Sequence, residues 1–365
     1  MGRLTRAEMQ ERNRARVLAA ARAEFAERGF RDAKIDGIAE RAQLTRGAVY
    51  SNFPGKRALY LSVLAEDAER AAELPHPAPG DTVREALGAL ARAWVARLPL
   101  ATEGRDAPAA LARDLLPEIA ADDRLQLAFA QLLKLDAILL GLAFERLGAA
   151  RARDRRMVRV AEVALTLLQG ATQLAASAPG FVEPFDVIGA CERLAGLDLD
   201  DAWRPPHLQH VPRARPADEP WSPPAAVDAV RGEPARLAGD GVVAVLGLHR
   251  LAAVEEAARA APPGADVTAV LVTGEPDELA PLARLALADL RGLLRQAVPR
   301  RAWPRLQVVC DASVAGSGSG SGAVAAAAGV RAVSDATEAA VRVEAGRIVA
   351  RADGFGASHA AASAT

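Results

Sequence analysis

The hydrophobic pattern changes period once along the chain, and that change limits the fold more than any other feature. From about residue 10 to residue 200, apolar residues recur at helical spacing. Val17, Ala21 and Phe25, at i, i+4 and i+8, set the pattern. From Gly239 onward they come instead in short β-branched runs such as Val242–Leu246 and Val267–Val272. This predicts an all-α part followed by an α/β part, and 365 residues leave room for two or three domains.

Within the helical part, Gln10 to Arg28 reads as a first helix, with Gly29 as its C-terminal stop. A short second helix covers Ile35 to Ala42. Thr45 offers an N-cap to a short third helix carrying Val49 and Phe53, and Pro54-Gly55 ends it before a long fourth helix near Lys56. Further helices are expected at Thr82–Leu98, Ala107–Ile119, Arg124–Leu147, Asp154–Ala176 and Pro184–Ala195, with Pro75, Pro77, Pro79, Pro99 and Pro179 between them. Such a set packs as a bundle. The proline-rich stretch 203–235 reads as a semi-rigid linker.

Beyond the linker, Leu306–Cys310, Ala339–Val343 and Arg347–Ala352 join the two runs already named as strand candidates. Helices at Leu251–Ala261 and Glu278–Ala297 alternate with the first three strands, which predicts a parallel core. The last two strands, joined through Glu344-Ala345-Gly346, read as a hairpin, and Ser317–Gly322 reads as a mobile Gly/Ser loop. The expected division is therefore 1–58, 59–202, the linker 203–235, and 236–365.

Charge separates these parts. The formal net charge is −1, yet residues 1–58 hold 13 Lys/Arg and 7 Asp/Glu, a net of +6, so the remainder sums to −7. A basic first domain on an acidic chain points to a polyanion. Cys191 and Cys310 are the only cysteines, too few for a disulfide framework or a cysteine-based zinc site. His207 and His210 have ligand-like i, i+3 spacing but sit among prolines, so no metal and no cofactor is expected. No signal peptide opens the chain and no unbroken apolar run approaches ~18 residues, so the expected location is the cytoplasm, without a membrane partner.

The chemistry concentrates in Ile35 to Lys56. Two short helices with a tight turn at Gln43-Leu44 make a helix-turn-helix, and the second helix has a small, polar N-terminal face. Thr45 caps it, leaving backbone N–H groups for a phosphate. Gly47 and Ala48 are small enough for close approach to the major groove. Arg46 reaches guanine O6/N7 or a phosphate, and Tyr50, Asn52 and Lys56 carry donors suited to phosphate oxygens. Gln43 stands where a turn glycine is usual, so a left-handed backbone is expected there.

The stretch from Ile35 to Lys56, with Phe25-Ala26-Glu27-Arg28-Gly29-Phe30 before it, resembles the DNA-binding signature of the tetracycline-repressor (TetR) family over residues 12–64. The helical arrangement is more loosely similar to about residue 200. The resemblance implies phosphate contacts from Lys34, Thr45, Tyr50 and Lys56, and base-edge contacts near Arg46, Gly47 and Ala48. Lys34 departs from the usual Thr or Ser, and Asn52 from a frequent His, which bears on operator preference. The resemblance further implies a ligand-responsive regulator, a repressor, that binds a palindromic double-stranded operator as a homodimer. The dimer would pair Asp154–Ala176 and Pro184–Ala195 as a four-helix bundle, with Leu167-Leu168-Gln169-Gly170-Ala171 in the seam; an intrachain core is the alternative for that segment. A small-molecule effector pocket is expected in 59–202. Asp136 shares a helical stripe with Phe129, Leu132, Leu133 and Leu140, and with Trp94 it is a candidate lining residue.

The strand and helix order after residue 236 looks like a thioredoxin-like fold of the peroxiredoxin type, with an inserted helix and strand. The residues that would carry its chemistry are missing. The end of the first core strand reads Leu248-His249-Arg250-Leu251, with no cysteine, and no proline falls in Ser334 to Thr337. Cys310, after Val308 and Val309, reads as core. No enzyme activity is expected, and an interaction or sensing module is the better alternative to a fused redox enzyme.

Overall fold

The computed structural model describes residues 5–74, 77–98, 111–148, 155–199, 201–203, 213–311 and 324–364. Helix α1, Arg6–Asp32, starts at a capping box in which Thr5 accepts from the Glu8 N–H and the Glu8 carboxylate accepts from the Thr5 N–H. Gly29, at φ 73°, breaks the helical backbone as the sequence suggests, but the chain then takes another turn to Asp32. That turn brings Phe30 onto Tyr60, ring centroids 4.8 Å apart. Helices α2 (Ile35–Arg41), α3 (Arg46–Tyr50) and α4 (Lys56–Ala72) follow. Val17, Phe25, Ile38, Val49, Leu59 and Tyr60 form the core that joins them.

The next helices are α5 (Val83–Val95), α6 (Leu115–Ala120), α7 (Asp123–Leu147), α8 (Val158–Ser177) and α9 (Pro184–Leu194). Of the expected helix Ala107–Ile119, residues 107–110 lie outside the described residues. A Cβ at Gly141 would lie 2.6 Å from the Val158 Cα, so glycine is what lets α7 and α8 approach so closely. By length and composition α7 is apolar enough to cross a membrane, but here Leu125, Leu132, Leu135, Ile138 and Phe144 bury it in the bundle.

Among the described residues, the rest of the chain builds one eight-stranded sheet. Its strands are β1 (Arg215–Pro220), β2 (Val227–Asp228), β3 (Glu233–Pro234), β4 (Gly241–Gly247), β5 (Asp266–Val272), β6 (Leu306–Cys310), β7 (Glu338–Glu344) and β8 (Arg347–Asp353), in the order β1-β8-β7-β4-β5-β6-β2-β3. The centre, β4-β5-β6, is parallel, and β7 and β8 add an antiparallel hairpin on the β4 side. Helices α10 (Ala253–Ala260), α11 (Pro276–Ala297), α12 (Val324–Ala327) and α13 (Ala357–Ala362) connect or close it. The expected strands therefore share one sheet.

Two expectations need correction. The stretch 203–235 is not all linker. Its described part supplies the two edge strands, β1 and β3, and β2 just inside β3, with Arg215 opposite Arg351 and Asp228 opposite Val309. Alternation is weak there because β1 and β3 are largely exposed and β2 and β3 are only two residues long. Nor does the α/β part stand apart from the helices. Helix α11 packs on α4, α5 and α7, and one continuous apolar core runs from Leu87 and Leu135 to Leu282 and Leu290. Leu285 of α11 even joins the core of the first domain. The Gly/Ser stretch 317–322, and His207 and His210, lie outside the described residues.

Charged pairs line the same contact. Arg57, at the head of α4, donates to Glu278 of α11 at 2.6 Å and to Asp122, the N-cap of α7, at 2.8 Å. Farther along α4, Glu69 meets Arg284 through two bonds of 2.9 Å, and Glu73 meets Arg291 at 2.5 Å and Arg295 at 3.4 Å.

Candidate nucleic-acid interface

The helix-turn-helix is held together from behind. Glu24, only 2% exposed, accepts from Arg41 of α2 at 2.9 Å and pairs with Arg28 at 3.1 Å. A buried carboxylate needs such partners, and together they fix α2 against α1. Gly37 makes room, since a Cβ there would sit 2.9 Å from Glu24 Oε1. Gln43 adopts φ 51°, the left-handed turn expected from sequence. Arg16 donates to the carbonyls of Ala42 and Gln43 and so braces that strained turn. Arg14 lies 4.5 Å over the Phe53 ring. Sequence reading missed both arginines, because their spacing on α1 looks like an ordinary solvated face.

Thr45 caps α3 as expected, its Oγ1 accepting from the Ala48 N–H at 3.2 Å. Lys34, Thr45, Arg46, Gly47 and Tyr50 are exposed, and Ala48 is half-buried beside them. The Arg46 guanidinium lies 5.5 Å from the Tyr50 ring centroid and 3.5 Å from both the Tyr50 hydroxyl and Asp36. The hydroxyl, and after it Asp36, raise its pKa, so it stays a cation. Two of the candidates are engaged inside the protein. Asn52 donates from its amide to the Ala48 carbonyl at 2.8 Å. Lys56 donates to the carbonyls of Arg31 and Ala33, each at 3.1 Å, over the Phe30 ring. An ammonium has three donors, so one remains for an outside oxygen.

Residues 17–63 match the family described as bacterial regulatory proteins, tetR family. This segment is a TetR-family DNA-binding region. Over 65 residues, 18% of this chain, it is 46% identical to the HTH-type transcriptional regulator SrpR of Pseudomonas putida, and 46% identical to TtgW, an uncharacterized HTH-type regulator from the same species. The matches span 30% of the first relative and 48% of the second, so well under two thirds of either. A TetR family regulator of known structure from Pseudomonas syringae pv. tomato is similar at 22% identity and a TM-score of 0.36, covering 50% of this chain and 94% of its own.

Behind the TetR-family region, the three expected pocket residues sit in different surroundings. Trp94 donates from Nε1 to Thr172 at 2.8 Å and so ties α5 to α8. Phe129 packs half-buried against the core. Asp136 has a buried Oδ1 without a partner, and Asp289 of α11 is the charge it feels. Burial first, and that like charge second, push its pKa well above the ordinary carboxylate range, which favours the neutral carboxyl. A group whose pKa rises on folding favours the folded state less as pH climbs from the ordinary aspartate range toward the folded value. Asp136→Asn should therefore raise stability at neutral pH, by on the order of 1–3 kcal/mol, and flatten the fall in melting temperature with rising pH. A pH-dependent series of thermal melts checks this; a variant less stable than the parent at pH 8 refutes it.

Helices α8 and α9 leave an apolar face open. Val163, Leu167, Gly170 and Leu174 follow one another at i, i+4, i+7 and i+11 on α8, and a Cβ at Gly170 would meet nothing within 4 Å. Leu174 is 41% exposed, and Phe181 and Phe185 are 71% and 80% exposed. The seam expected from sequence thus divides. Leu168 and Ala171 point into the chain's own core, and Leu167 and Gly170 lie on the open side.

Proposed function

We propose that this chain is a transcriptional repressor of the cytoplasm that binds a palindromic duplex operator as a homodimer through Thr45–Lys56, and that a small-molecule effector weakens that binding. The observation that carries the reading is the exposed Thr45, Arg46, Gly47 and Tyr50 surface, held on a braced helix-turn-helix within the TetR-family segment. The open face of α8 and α9 supports dimerisation, which sets two recognition helices about one DNA turn apart, roughly 34–36 Å.

The test is binding of the full chain to duplexes from its own promoter region, read by fluorescence anisotropy across a salt series. Arg46→Ala should cost about 1–3 kcal/mol at one operator position and relax preference there. Tyr50→Ala should weaken binding to all sequences and lower the salt dependence. Lys56→Ala should also lower the melting temperature, because Lys56 closes the end of α1. No binding to any promoter duplex at low salt would refute the reading.

For the α/β part we propose a thioredoxin-like fold without redox chemistry. The order β8-β7-β4-β5, with α11 and β6 inserted beside it, supports the fold. The turn Leu248 to Leu251 after β4 carries no thiol. Cys310 is half-buried, and burial pushes its thiol up to about 12, far from the thiolate that exchange requires. A non-catalytic regulatory role for 236–365 follows, with 1–58 reading DNA and 59–202 carrying dimerisation.

A further inference from the structure

Helices α4 and α11 border a cleft of about 670 Å³, closed at one side by Cys310 of β6 and by Ala229 in the turn after β2. This is within the size range of small-molecule sites. It lies outside the helical bundle where the sequence reading expected an effector. Its floor is apolar, from Ala72, Leu287 and Ala288. Its charged groups are Arg284 and Arg291 of α11, Glu66, Glu69 and Arg70 of α4, and Glu73 at the α4 C-cap. Arg284 is paired with Glu69 through both oxygens, but Arg291 is incompletely satisfied. Arg291 reaches Glu73 at 2.5 Å through Nη2, whereas its Nε is buried without a hydrogen-bond partner. The guanidinium is held in place by the backbone below it. A Cβ at Gly232, itself at φ 70°, would sit 2.3 Å from Arg291 Nη2, so only glycine allows the arginine to lie there.

We infer that this cleft is a binding site for a small amphipathic carboxylate. The ligand's carboxylate takes the guanidinium of Arg291 as a bidentate partner, satisfying Nε and displacing Glu73; its hydrocarbon body covers Leu287 and Ala288. Guanidinium forks match carboxylates in geometry, and an incoming carboxylate replaces the internal one without leaving the arginine unpaired. Glu73 is half exposed, so once displaced it is readily solvated. Cys310 stays a neutral thiol and adds no negative charge to oppose the ligand. The binding claim stands without DNA. Its consequence, a shift of α4 and hence of the DNA-binding region, rests on the function proposed above.

The experiment titrates octanoate into the full-length protein by calorimetry in the absence of DNA, with octan-1-ol as the uncharged control. Saturable binding of octanoate, at least tenfold tighter than octanol, is expected. Glu73→Gln removes the competing carboxylate and should tighten octanoate severalfold. Ala288→Trp fills the floor and should weaken it at least tenfold. If the tryptophan variant does not fold, Glu73→Gln decides alone. The inference is overturned if octanoate shows no saturable binding, if octanol binds as well, if Glu73→Gln leaves the affinity unchanged, or if folded Ala288→Trp does. A promoter duplex added afterwards separates the two proposals. Binding of octanoate with no DNA affinity at all sinks the regulator and leaves the site; DNA binding without octanoate binding does the reverse.

Discussion

Ending the chain after Trp203 yields a protein that aggregates, or melts at least about 10 °C below the full chain. The truncation removes α11, whose Leu279, Leu282, Leu287, Leu290, Leu293 and Leu294 are buried. Each leucine taken from a core and exposed costs about 1.5–3 kcal/mol, and the faces of α4, α5 and α7 that α11 covers are exposed at the same time. The cut also leaves Arg57 and Asp122 without Glu278, and Glu69 and Glu73 without their arginines. Circular-dichroism melts with light scattering measure the effect. A truncated chain that melts cooperatively at the parent temperature would show that the junction carries no energetic weight. For the same reason, DNA binding is best measured on the whole chain.

Leu174→Glu combined with Phe185→Asp should convert the protein to a monomer in sedimentation velocity while leaving its melting temperature nearly unchanged. Both side chains are exposed, so the charges meet water in the monomer and only a partner's apolar face in the dimer. Operator affinity should fall at least about a hundredfold, since two linked readers gain roughly 10²–10⁴ over one. A double variant that stays dimeric places the dimer contact on another face, and one that is monomeric with full affinity removes the need for a dimer.

The first domain was legible because its signals are local. Thr45 caps the helix it precedes, and Gln43 takes the left-handed turn its position demands, although α1 starts at its Thr5 cap, earlier than the Gln10 expected. The strands β4 to β8 were legible for the same reason, through short β-branched runs bounded by turn residues. The α4–α11 contact was not. Glu69 and Arg284 are 215 residues apart, and each reads alone as a solvated charge on an amphipathic helix. Arg16 and Lys56 mislead in the same way. Both look like free cations, and both bind backbone carbonyls that only the folded chain brings near. Asp136 shows how far helical periodicity reaches. Its stripe indicated an inward position, but the partner it meets is α11, from a part of the chain expected to be separate. Cys310 was read as core and does pack against it, but it also forms part of the wall of a cleft, because periodicity fixes which face of a strand a residue takes and not what leaves that face open.

The grip on α4 is uneven along its length. Arg57, beside the DNA-reading end, is held by two carboxylates from different parts of the fold, all three side chains largely shielded from water. Glu69 and Glu73, toward the other end, are about half exposed. On the function and ligand site proposed above, helix α4 would act as a lever with its fulcrum at the reading head and its handle in the cleft. At 1.5 Å per residue it is about 25 Å long, so a push of about 4 Å at the handle turns the head through roughly 10°. In the proposed dimer, two heads turning in opposite senses about its axis would no longer face adjacent grooves. Small displacements far from the DNA would then become angular errors at it, with the Arg57 pairs at the pivot.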